Sequence, residues 1–277
     1  MIENKSKKLG WINSQWGIFK DLKIPINDRG LNFADGIFET ILILNGIPQL
    51  LNEHLNRWEK SANILKMNPP PSKEWLTSLI EDGINRSQLN NINGVIRINW
   101  TRGASKQRGI DISQTNIHGF WLEINSYEPN FESISTMISQ TERRNSFSRL
   151  SYCKTFSYSQ AIQARIEAKS SGFSDALLLN TNGEICCGTT SNILVKRKGN
   201  WFTPSLKSGC LPGIMRQRGI DLNIIKETFI EATPKDHDEW LLINSLSCHP
   251  IQKINQKELK ISTDPKKFWL SLLKPQK

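Results

Sequence analysis

The distribution of apolar side chains along the first half of the chain predicts strands and helices in turn. Residues 37–44 are mostly β-branched or apolar and lead into Asn45-Gly46, a pair typical of a hairpin turn. Further along, apolar side chains such as Leu55 and Trp58 recur at helical spacing. The predicted elements are strands at residues 37–44, 94–100 and 119–125, helices at residues 52–66 and 73–85, and a polar loop at residues 101–118.

The second half of the chain mixes predicted strands and helices without strict alternation. Asp264 is suited to cap the last helix, with Pro265 as its first residue. The predicted strands lie at residues 133–139, 175–180, 192–196 and 239–244, and the helices at residues 159–170, 214–223 and 265–273. Because the pattern breaks at residues 127–131, the sequence predicts two α/β domains, residues 1–126 and residues 132–277, joined by a linker over residues 127–131.

Composition and charge narrow the functional classes. The chain has 277 residues, of which 38% are hydrophobic, enough for the cores of two domains. Its formal net charge is +10, but the lysines and arginines are scattered, which favours a solvated basic surface over a nucleic-acid site and suits a small anionic substrate. No stretch approaches the roughly 18 apolar residues of a membrane helix. Residues 1–8 lack the apolar run of a secretory signal, so a cytoplasmic protein is expected.

The cysteines and histidines do not have the spacing of a metal site. No Cys-x-x-Cys pair is present, and the histidines are far apart in the sequence. Free thiols are the simplest interpretation of the cysteines. The cysteines are Cys153, Cys186, Cys187, Cys210 and Cys248, and the histidines are His54, His118, His237 and His249.

Three motifs follow one another in the second half: a lysine, a glycine turn and a helix start. Lys154 stands in an uncharged setting, Ser-Tyr-Cys-Lys-Thr-Phe, before a predicted helix. Gly-Glu-Ile-Cys-Cys-Gly-Thr-Thr-Ser-Asn spans residues 183–192, and Leu-Pro-Gly-Ile-Met-Arg spans residues 211–216. An amine that forms a Schiff base must lose its proton part of the time, which burial and neighbouring cations favour. Backbone N–H groups at a helix start are suited to bind phosphate.

In this order the motifs resemble the class IV (fold type IV) pyridoxal-phosphate enzymes, which include branched-chain and D-amino-acid aminotransferases and 4-amino-4-deoxychorismate lyase. The resemblance implies a homodimer of two-domain α/β chains, with pyridoxal 5'-phosphate in the interdomain cleft and the C-terminal domain as the cofactor-binding domain. It implies that Lys154 forms the Schiff base and later carries a proton. It also implies that the phosphate is bound by the N–H groups of Ile214 and Met215, by Arg57 and by Ser245.

The resemblance assigns two more positions near the cofactor ring. Asn192 matches an asparagine of the family motif. Cys187 stands where a glutamate usually pairs with the pyridine nitrogen, and Glu184, earlier in the sequence, reaches that nitrogen only if the register shifts. A thiol is a poorer ion-pair partner than a carboxylate. The ring is therefore expected to be a weaker electron sink than in most relatives.

Residues 28–40 match one branch of the family. Asp-Arg-Gly-Leu-Asn-Phe-Ala-Asp-Gly-Ile-Phe-Glu-Thr resembles the aminodeoxychorismate lyases, with Ala34 where glycine is usual. We therefore expect a lyase that converts 4-amino-4-deoxychorismate to 4-aminobenzoate and pyruvate for folate synthesis, in which Thr40 donates a proton to the departing group. Arg102 and Arg108 are candidates for binding substrate carboxylates. Two alternatives remain open: a class IV aminotransferase for branched-chain or D-amino acids, and a weakly active protein that binds the cofactor.

Overall fold

The computed structural model describes residues 8–112 and 117–274. Residues 1–7, which carry most of the argument against a secretory signal, and residues 113–116 of the predicted loop lie outside the described residues. The chain forms two compact units. Unit 1 comprises Met1–Glu128 and Cys153–Ser157, and unit 2 comprises Pro129–Tyr152 and Tyr158–Lys277.

The described part of unit 1 contains an antiparallel sheet of six strands in the order β2-β1-β6-β5-β3-β4. Its strands are β1 (Leu9–Ile12), β2 (Gln15–Ile18), β3 (Gly36–Leu44), β4 (Ile47–Pro48), β5 (Gly94–Thr101) and β6 (Gly119–Ser126). Its helices are α1 (Arg29–Phe33), α2 (Leu51–Ile64) and α3 (Lys73–Arg86), with a 3-10 turn at Phe19–Asp21.

Strand β3 organises unit 1 because its two faces have different partners. Side chains alternate across a sheet, and Ile37, Ile41 and Ile43 all point to the face covered by α2 and α3, where they are fully buried. The strand ends at Asn45 and Gly46, whose φ angles of 47° and 80° are those of a tight hairpin turn. The predicted strand, turn and following helix are therefore confirmed.

Unit 2 contains, in its described residues, a mixed sheet and three helices. Its strands are β7 (Ile134–Arg144), β8 (Asp175–Asn180), β9 (Ile185–Gly188), β10 (Asn192–Arg197), β11 (Asn200–Pro204), β12 (Ile225–Thr228), β13 (Glu239–Ile243), β14 (Cys248–Ile254) and β15 (Lys257–Glu258). Its helices are α4 (Ser159–Ser170), α5 (Ile214–Asp221) and α6 (Pro265–Leu273), with 3-10 turns at Arg149–Tyr152 and Leu206–Ser208.

The strands of unit 2 close on themselves. The sheet runs in the order β12-β11-β10-β13-β14-β7-β8-β9, and β9 also pairs with β10, so the strands from β10 to β9 form a ring. Apolar side chains such as Leu177, Val195 and Leu242 form one buried cluster. A second cluster contains Ala164 and Ala168, through which α4 packs on β7 and β8.

Several predicted elements coincide with those observed. Helices α4 and α6 have the predicted bounds, and Asp264 Oδ1 accepts a hydrogen bond from Lys267 N at 3.0 Å as an N-cap. The hydrophobic pattern does not predict the short strands β1, β2, β9 and β11, since four or five residues are too few to establish a period. Among the described residues, no helix has both the length and the apolar character needed to cross a membrane.

The boundary between the units differs from the prediction in one respect. The chain passes from unit 1 to unit 2 at Glu128 and Pro129, inside the predicted linker, but Cys153–Ser157 returns to unit 1. The reason is backbone pairing with β3: Phe38 N donates to the Lys154 carbonyl at 2.9 Å, and Phe156 N donates to the Gly36 carbonyl at 3.0 Å. The predicted domain over residues 132–277 is therefore interrupted, and Lys154 belongs to unit 1.

Candidate functional site

Lys154 is held beside strand β3 of unit 1. Its backbone carbonyl is bonded to Phe38, and its Nζ atom lies 4.3 Å from the centroid of the Phe38 ring. An aromatic ring attracts an ammonium group and offers it little water. The side chain of Lys154 is partly buried against this aromatic ring.

Arg97 shares the same aromatic ring. Its guanidinium carbon lies 3.8 Å from the Phe38 centroid, so Arg97 and Lys154 are close to each other through Phe38. Arg97 Nε donates to Asn99 Oδ1 at 2.8 Å. Thr40 is the cross-strand partner of Arg97 and lies on the same face of β3 as Phe38. The structure thus brings Lys154 and Thr40 to one face of the sheet and adds Arg97, which the sequence did not single out.

A pocket of about 390 Å³ opens on this face. Glu123 is the one acidic side chain among the described residues that line it, and the carboxylate accepts hydrogen bonds from Asn99 Nδ2 at 3.5 Å and from Trp121 Nε1 at 3.2 Å. Such a combination of aromatic surface and a few convergent polar groups is typical of a small-molecule site. The lining residues are Ile24, Gly30, Leu31, Arg97, Asn99, Trp121, Glu123 and Phe156.

The opposite face of β3 carries a buried ionic cluster. Arg57 Nε and Nη2 donate to the two carboxylate oxygens of Glu39 at 2.7 and 2.6 Å, and His54 Nδ1 lies 2.7 Å from Glu39 Oε2. Burial alone would raise the pKa of Glu39, but the charge of Arg57 and the hydrogen bonds from His54 and Arg57 lower it to about 2. Since the carboxylate is ionised and can only accept, His54 carries its proton on Nδ1.

His54 itself is neutral in this cluster. Burial lowers the pKa of the imidazole, and although Glu39 opposes that effect, the charges of Arg57 and Lys154 add to it. The cluster therefore has one anion and one cation in its resting state. Its effect on Arg57, a predicted phosphate ligand, is to fix the direction of the guanidinium.

The two arginines predicted to bind substrate carboxylates have different environments. Arg102 is buried and already engaged: its Nε atom donates to Asp35, and its Nη1 and Nη2 atoms donate to the carbonyls of Lys66 and Leu65 at 2.9 and 2.7 Å. These contacts give Arg102 a structural role at the base of the loop, which corrects the expectation of a substrate ligand. Arg108 is exposed on the same loop and stays a candidate.

In unit 2, Asn192 connects the residues predicted to surround the cofactor. It pairs with Cys187 of β9 and with Ile243 of β13. Its Nδ2 atom donates to the Leu211 carbonyl at 2.9 Å, just before the start of α5. Ser245 lies in the turn after β13, and its neighbour Asn244 donates to Ser191 Oγ at 3.0 Å. The structure therefore brings Cys187, Asn192, Ser245 and the N-terminus of α5 into one region of unit 2.

The N-terminus of α5 has the chemistry of a phosphate site. Gly213 precedes the helix, so no side chain caps the first N–H groups, and no acidic residue lies in the first turn. A Cβ atom at Gly213 would lie 1.9 Å from Asn192 Oδ1, so only glycine fits this approach of the two segments. Ile214 and Met215, whose N–H groups begin the helix, are both buried. These residues fit a cofactor that ends in a phosphate.

Cys187 lies beside a β-bulge and a second thiol. In the pairing with β8, Cys187 is opposite Leu178 and Ile185 is opposite Leu179, so Cys186 is the extra residue. A hydrogen bond from the Cys186 thiol is the largest influence on the pKa of Cys187 and lowers it, as does the charge of Arg144, whereas burial and Asp175 raise it. The same hydrogen bond, together with burial, raises the pKa of Cys186.

Glu184 does not take the place of the missing glutamate. It lies before β9, where its Oε2 atom accepts a hydrogen bond from Asn180 Nδ2 at 2.7 Å. Cys187 lies further along, within the strand and on the face that Arg144 shares, because their partners Leu178 and Asn180 are two residues apart in β8. The chain therefore has a thiol, and not a carboxylate, at this position.

Comparison with known proteins identifies the family. The Amino-transferase class IV profile matches residues 36–254. A Methanocaldococcus jannaschii protein with a provisional branched-chain-amino-acid aminotransferase name is 28% identical over 225 residues, covering 80% of this chain and 76% of the relative. The Bacillus subtilis aminodeoxychorismate lyase is 23% identical over 259 residues, covering 89% of this chain and 86% of the relative.

The fold agrees with that assignment. The branched-chain aminotransferase of Thermoproteus uzoniensis, solved with norvaline, superimposes with a TM-score of 0.85 at 22% identity, covering 96% of this chain and 93% of that chain. Lys154 lies in unit 1, and the helix that begins after Gly213 lies in unit 2. The chain belongs to the class IV aminotransferase family and its cofactor is pyridoxal phosphate.

Proposed function

We propose that this enzyme is an aminodeoxychorismate lyase, which releases pyruvate from 4-amino-4-deoxychorismate and leaves 4-aminobenzoate. The observation that carries the proposal is Cys187. The family's glutamate keeps the pyridine nitrogen protonated, and here the nearest glutamate in sequence is bound to Asn180. Transamination depends strongly on an electron-accepting ring. An elimination that makes the substrate ring aromatic has a driving force of its own. It therefore tolerates a cofactor ring that accepts electrons less well.

Pyridoxal phosphate supplies an aldehyde that bonds an amine and a ring that accepts electrons. In our proposal Lys154 provides the amine. The N–H groups of Ile214 and Met215, the Arg57 guanidinium and the Ser245 hydroxyl bind the phosphate. Glu39 and His54 keep the Arg57 guanidinium in one orientation through the hydrogen bonds described above.

The substrate groups are assigned to the pocket face of unit 1. Lys154 removes the ring proton, and the Thr40 hydroxyl gives a proton to the departing enol. Arg97 binds one substrate carboxylate, because its guanidinium lies in the pocket beside Phe38, and the exposed Arg108 binds the other. Arg97 thus takes the role that the sequence gave to Arg102.

We also propose that the enzyme is a homodimer, and a mass of 31.7 kDa by light scattering would contradict this.

Product analysis tests the lyase directly. Purified protein loaded with pyridoxal phosphate is mixed with 4-amino-4-deoxychorismate, and 4-aminobenzoate and pyruvate are measured together. We expect equal amounts of the two products and none with Lys154→Ala. Absence of 4-aminobenzoate, with an amino donor instead converted to its keto acid, would contradict the lyase.

A class IV aminotransferase is the second candidate, and Glu123 favours it. This carboxylate lies in the pocket with Arg97, so it repels a substrate that carries two carboxylates more than a substrate that carries one. The single carboxylate of an amino acid bound at Arg97 is balanced by the guanidinium charge. The Glu123→Gln variant separates the two candidates, since it should lower the KM for a dicarboxylate substrate and leave the KM for a neutral aliphatic amino acid unchanged.

A further inference from the structure

Arg29 forms hydrogen bonds to backbone carbonyls of the loop that follows β5. Its Nη2 atom donates to the Ile110 carbonyl at 2.9 Å, and its Nη1 atom donates to the carbonyls of Gly109 and Asp111 at 3.3 and 3.1 Å. The Nε atom donates to Asp35 Oδ2 at 2.9 Å. Arg29 itself is only 3% exposed, although residues 109–111, whose carbonyls it binds, are exposed.

The same carboxylate anchors the base of the loop. Asp35 accepts from Arg102 Nε at 3.1 and 3.0 Å through its two oxygens. The Arg29 backbone N–H donates to the Gly103 carbonyl at 2.9 Å. Arg29 and Asp35 therefore hold the loop at two places through hydrogen bonds. These places are the first residues of the loop and its middle segment, residues 109–111.

This structure adjoins the pocket. Gly30 and Leu31, the residues after Arg29 in α1, line the pocket wall. Arg108, the exposed candidate for binding a substrate carboxylate, directly precedes the gripped segment 109–111. Holding the carbonyls of that segment limits the positions that the Arg108 side chain can reach.

We propose that Arg29 is a positioning residue that holds residues 109–111 in one conformation and thereby sets the affinity for the outer carboxylate of the substrate through Arg108. Only the planar guanidinium can serve three carbonyls and a carboxylate at once, because a lysine ammonium has three donors on a single atom. The effect on the substrate rests on the proposed function. The effect on the loop does not, and can be measured without substrate.

The rate of limited trypsin digestion measures how often the loop opens. Lys106 and Arg108 are exposed trypsin sites within it. In Arg29→Lys we expect cleavage after these two residues to be at least about tenfold faster than in the wild type, since proteolysis follows the population of the opened segment. Arg86→Lys, at an exposed arginine of unit 1, is the matched control and should be cut like the wild type. Equal cleavage in Arg29→Lys would overturn the proposal.

A second variant changes a residue of the loop itself and leaves α1 unchanged. Gly109 has a φ of 97°, which strains any other residue, and a Cβ atom there meets nothing within 4 Å. Gly109→Ala should therefore shift the gripped carbonyls without a clash and reproduce the faster cleavage, even if Arg29→Lys folds poorly. A Gly109→Ala protein that is cut like the wild type would count against the proposal.

Kinetics tests the consequence for the substrate. With 4-amino-4-deoxychorismate as substrate, Arg29→Lys and Gly109→Ala should raise KM about tenfold and leave kcat within about threefold, because the contact with the outer carboxylate contributes to binding and not to chemistry. A loosened loop with unchanged KM would overturn the role in substrate affinity. Failure of the wild type to make 4-aminobenzoate would overturn the proposed function while leaving the digestion result unaffected.

Discussion

Arg57 and Glu39 form a two-point ion pair inside the core of unit 1, with N–O distances of 2.7 and 2.6 Å. Glu39 is fully buried and Arg57 is 9% exposed. A buried pair contributes little compared with apolar packing, but the loss of one partner leaves an uncompensated charge. The residue expected to bind the cofactor phosphate is thus also part of the structure of the apoprotein.

Arg57→Ala should destabilise the apoprotein by about 3–5 kcal/mol, because the Glu39 carboxylate stays buried without its cation. Denaturant unfolding of the apoprotein measures this effect. The double variant Glu39→Ala with Arg57→Ala should regain much of the stability but not the affinity for pyridoxal phosphate. Full recovery of cofactor affinity in the double variant would show that Arg57 does not bind the phosphate.

Acid should destabilise the apoprotein in two steps set by this cluster. The folded-state pKa of His54 lies below its ordinary value of 6.5, so stability is fully present above pH 6.5 and declines as the pH falls below it. The pKa of Glu39 falls from 4.5 to about 2 on folding, so its contribution is present above pH 4.5 and is lost as the pH falls toward 2.

Thermal melting of the apoprotein over this range is the measurement. His54→Gln should flatten the first decline just below pH 6.5, whereas His237→Asn, at an exposed loop histidine, should follow the wild type. An unchanged first decline in His54→Gln would assign that decline to another group.

Lys154→Ala should remove the covalent bond to the cofactor and with it catalysis, since only a primary amine can form that bond. Absorbance of the loaded protein and intact mass after borohydride reduction measure the bond. Lys169→Ala, at an exposed lysine of α4, is the control and should retain both. Turnover of Lys154→Ala at the wild-type rate would refute the assignment.

Gly213→Ala should weaken cofactor binding by about tenfold, which corresponds to about 1.4 kcal/mol. The added Cβ atom would lie 1.9 Å from Asn192 Oδ1, so the Asn192 amide must leave its bond to the Leu211 carbonyl. Titration with pyridoxal phosphate measures the loss. The φ of Gly213 is −68°, so backbone strain does not contribute, and unchanged affinity would mean that α5 does not bind the phosphate.

Cys187→Glu should leave lyase activity within about tenfold, roughly 1.4 kcal/mol in the barrier, while increasing side transamination. The new carboxylate would be buried, but Arg144 faces the same side of the sheet and can pair with it. Cys187→Ser should keep the native ratio of products. Brisk transamination by the native enzyme without any 4-aminobenzoate would refute both this prediction and the lyase.

The sequence identified candidate site residues that are close along the chain better than those that only the sheet brings together. Asn192, Ile214 and Met215 belong to compact motifs, and in the structure Asn192 is hydrogen-bonded close to the start of α5, which contains Ile214 and Met215. Arg97 was missed because it appears as a lone charge within an apolar strand. Only the register with β3 shows that it lies beside Thr40 and over the Phe38 ring.

Arg102 shows the converse error. An arginine followed by glycine on a polar loop is typical of a ligand-binding position. The carbonyls of Leu65 and Lys66, which occupy its guanidinium, belong to a distant part of the chain. Local sequence contains no information on these partners, so the structural role could not be predicted.

The grip of Arg29 on residues 109–111 has a consequence for how this enzyme can change over evolutionary time. The guanidinium recognises peptide carbonyls, which every amino acid possesses. Substitutions of Ile110 and Asp111 can therefore alter what the loop presents to a ligand without releasing the loop from its anchor. A fixed backbone anchor with interchangeable loop side chains would let one scaffold acquire new substrates by single mutations.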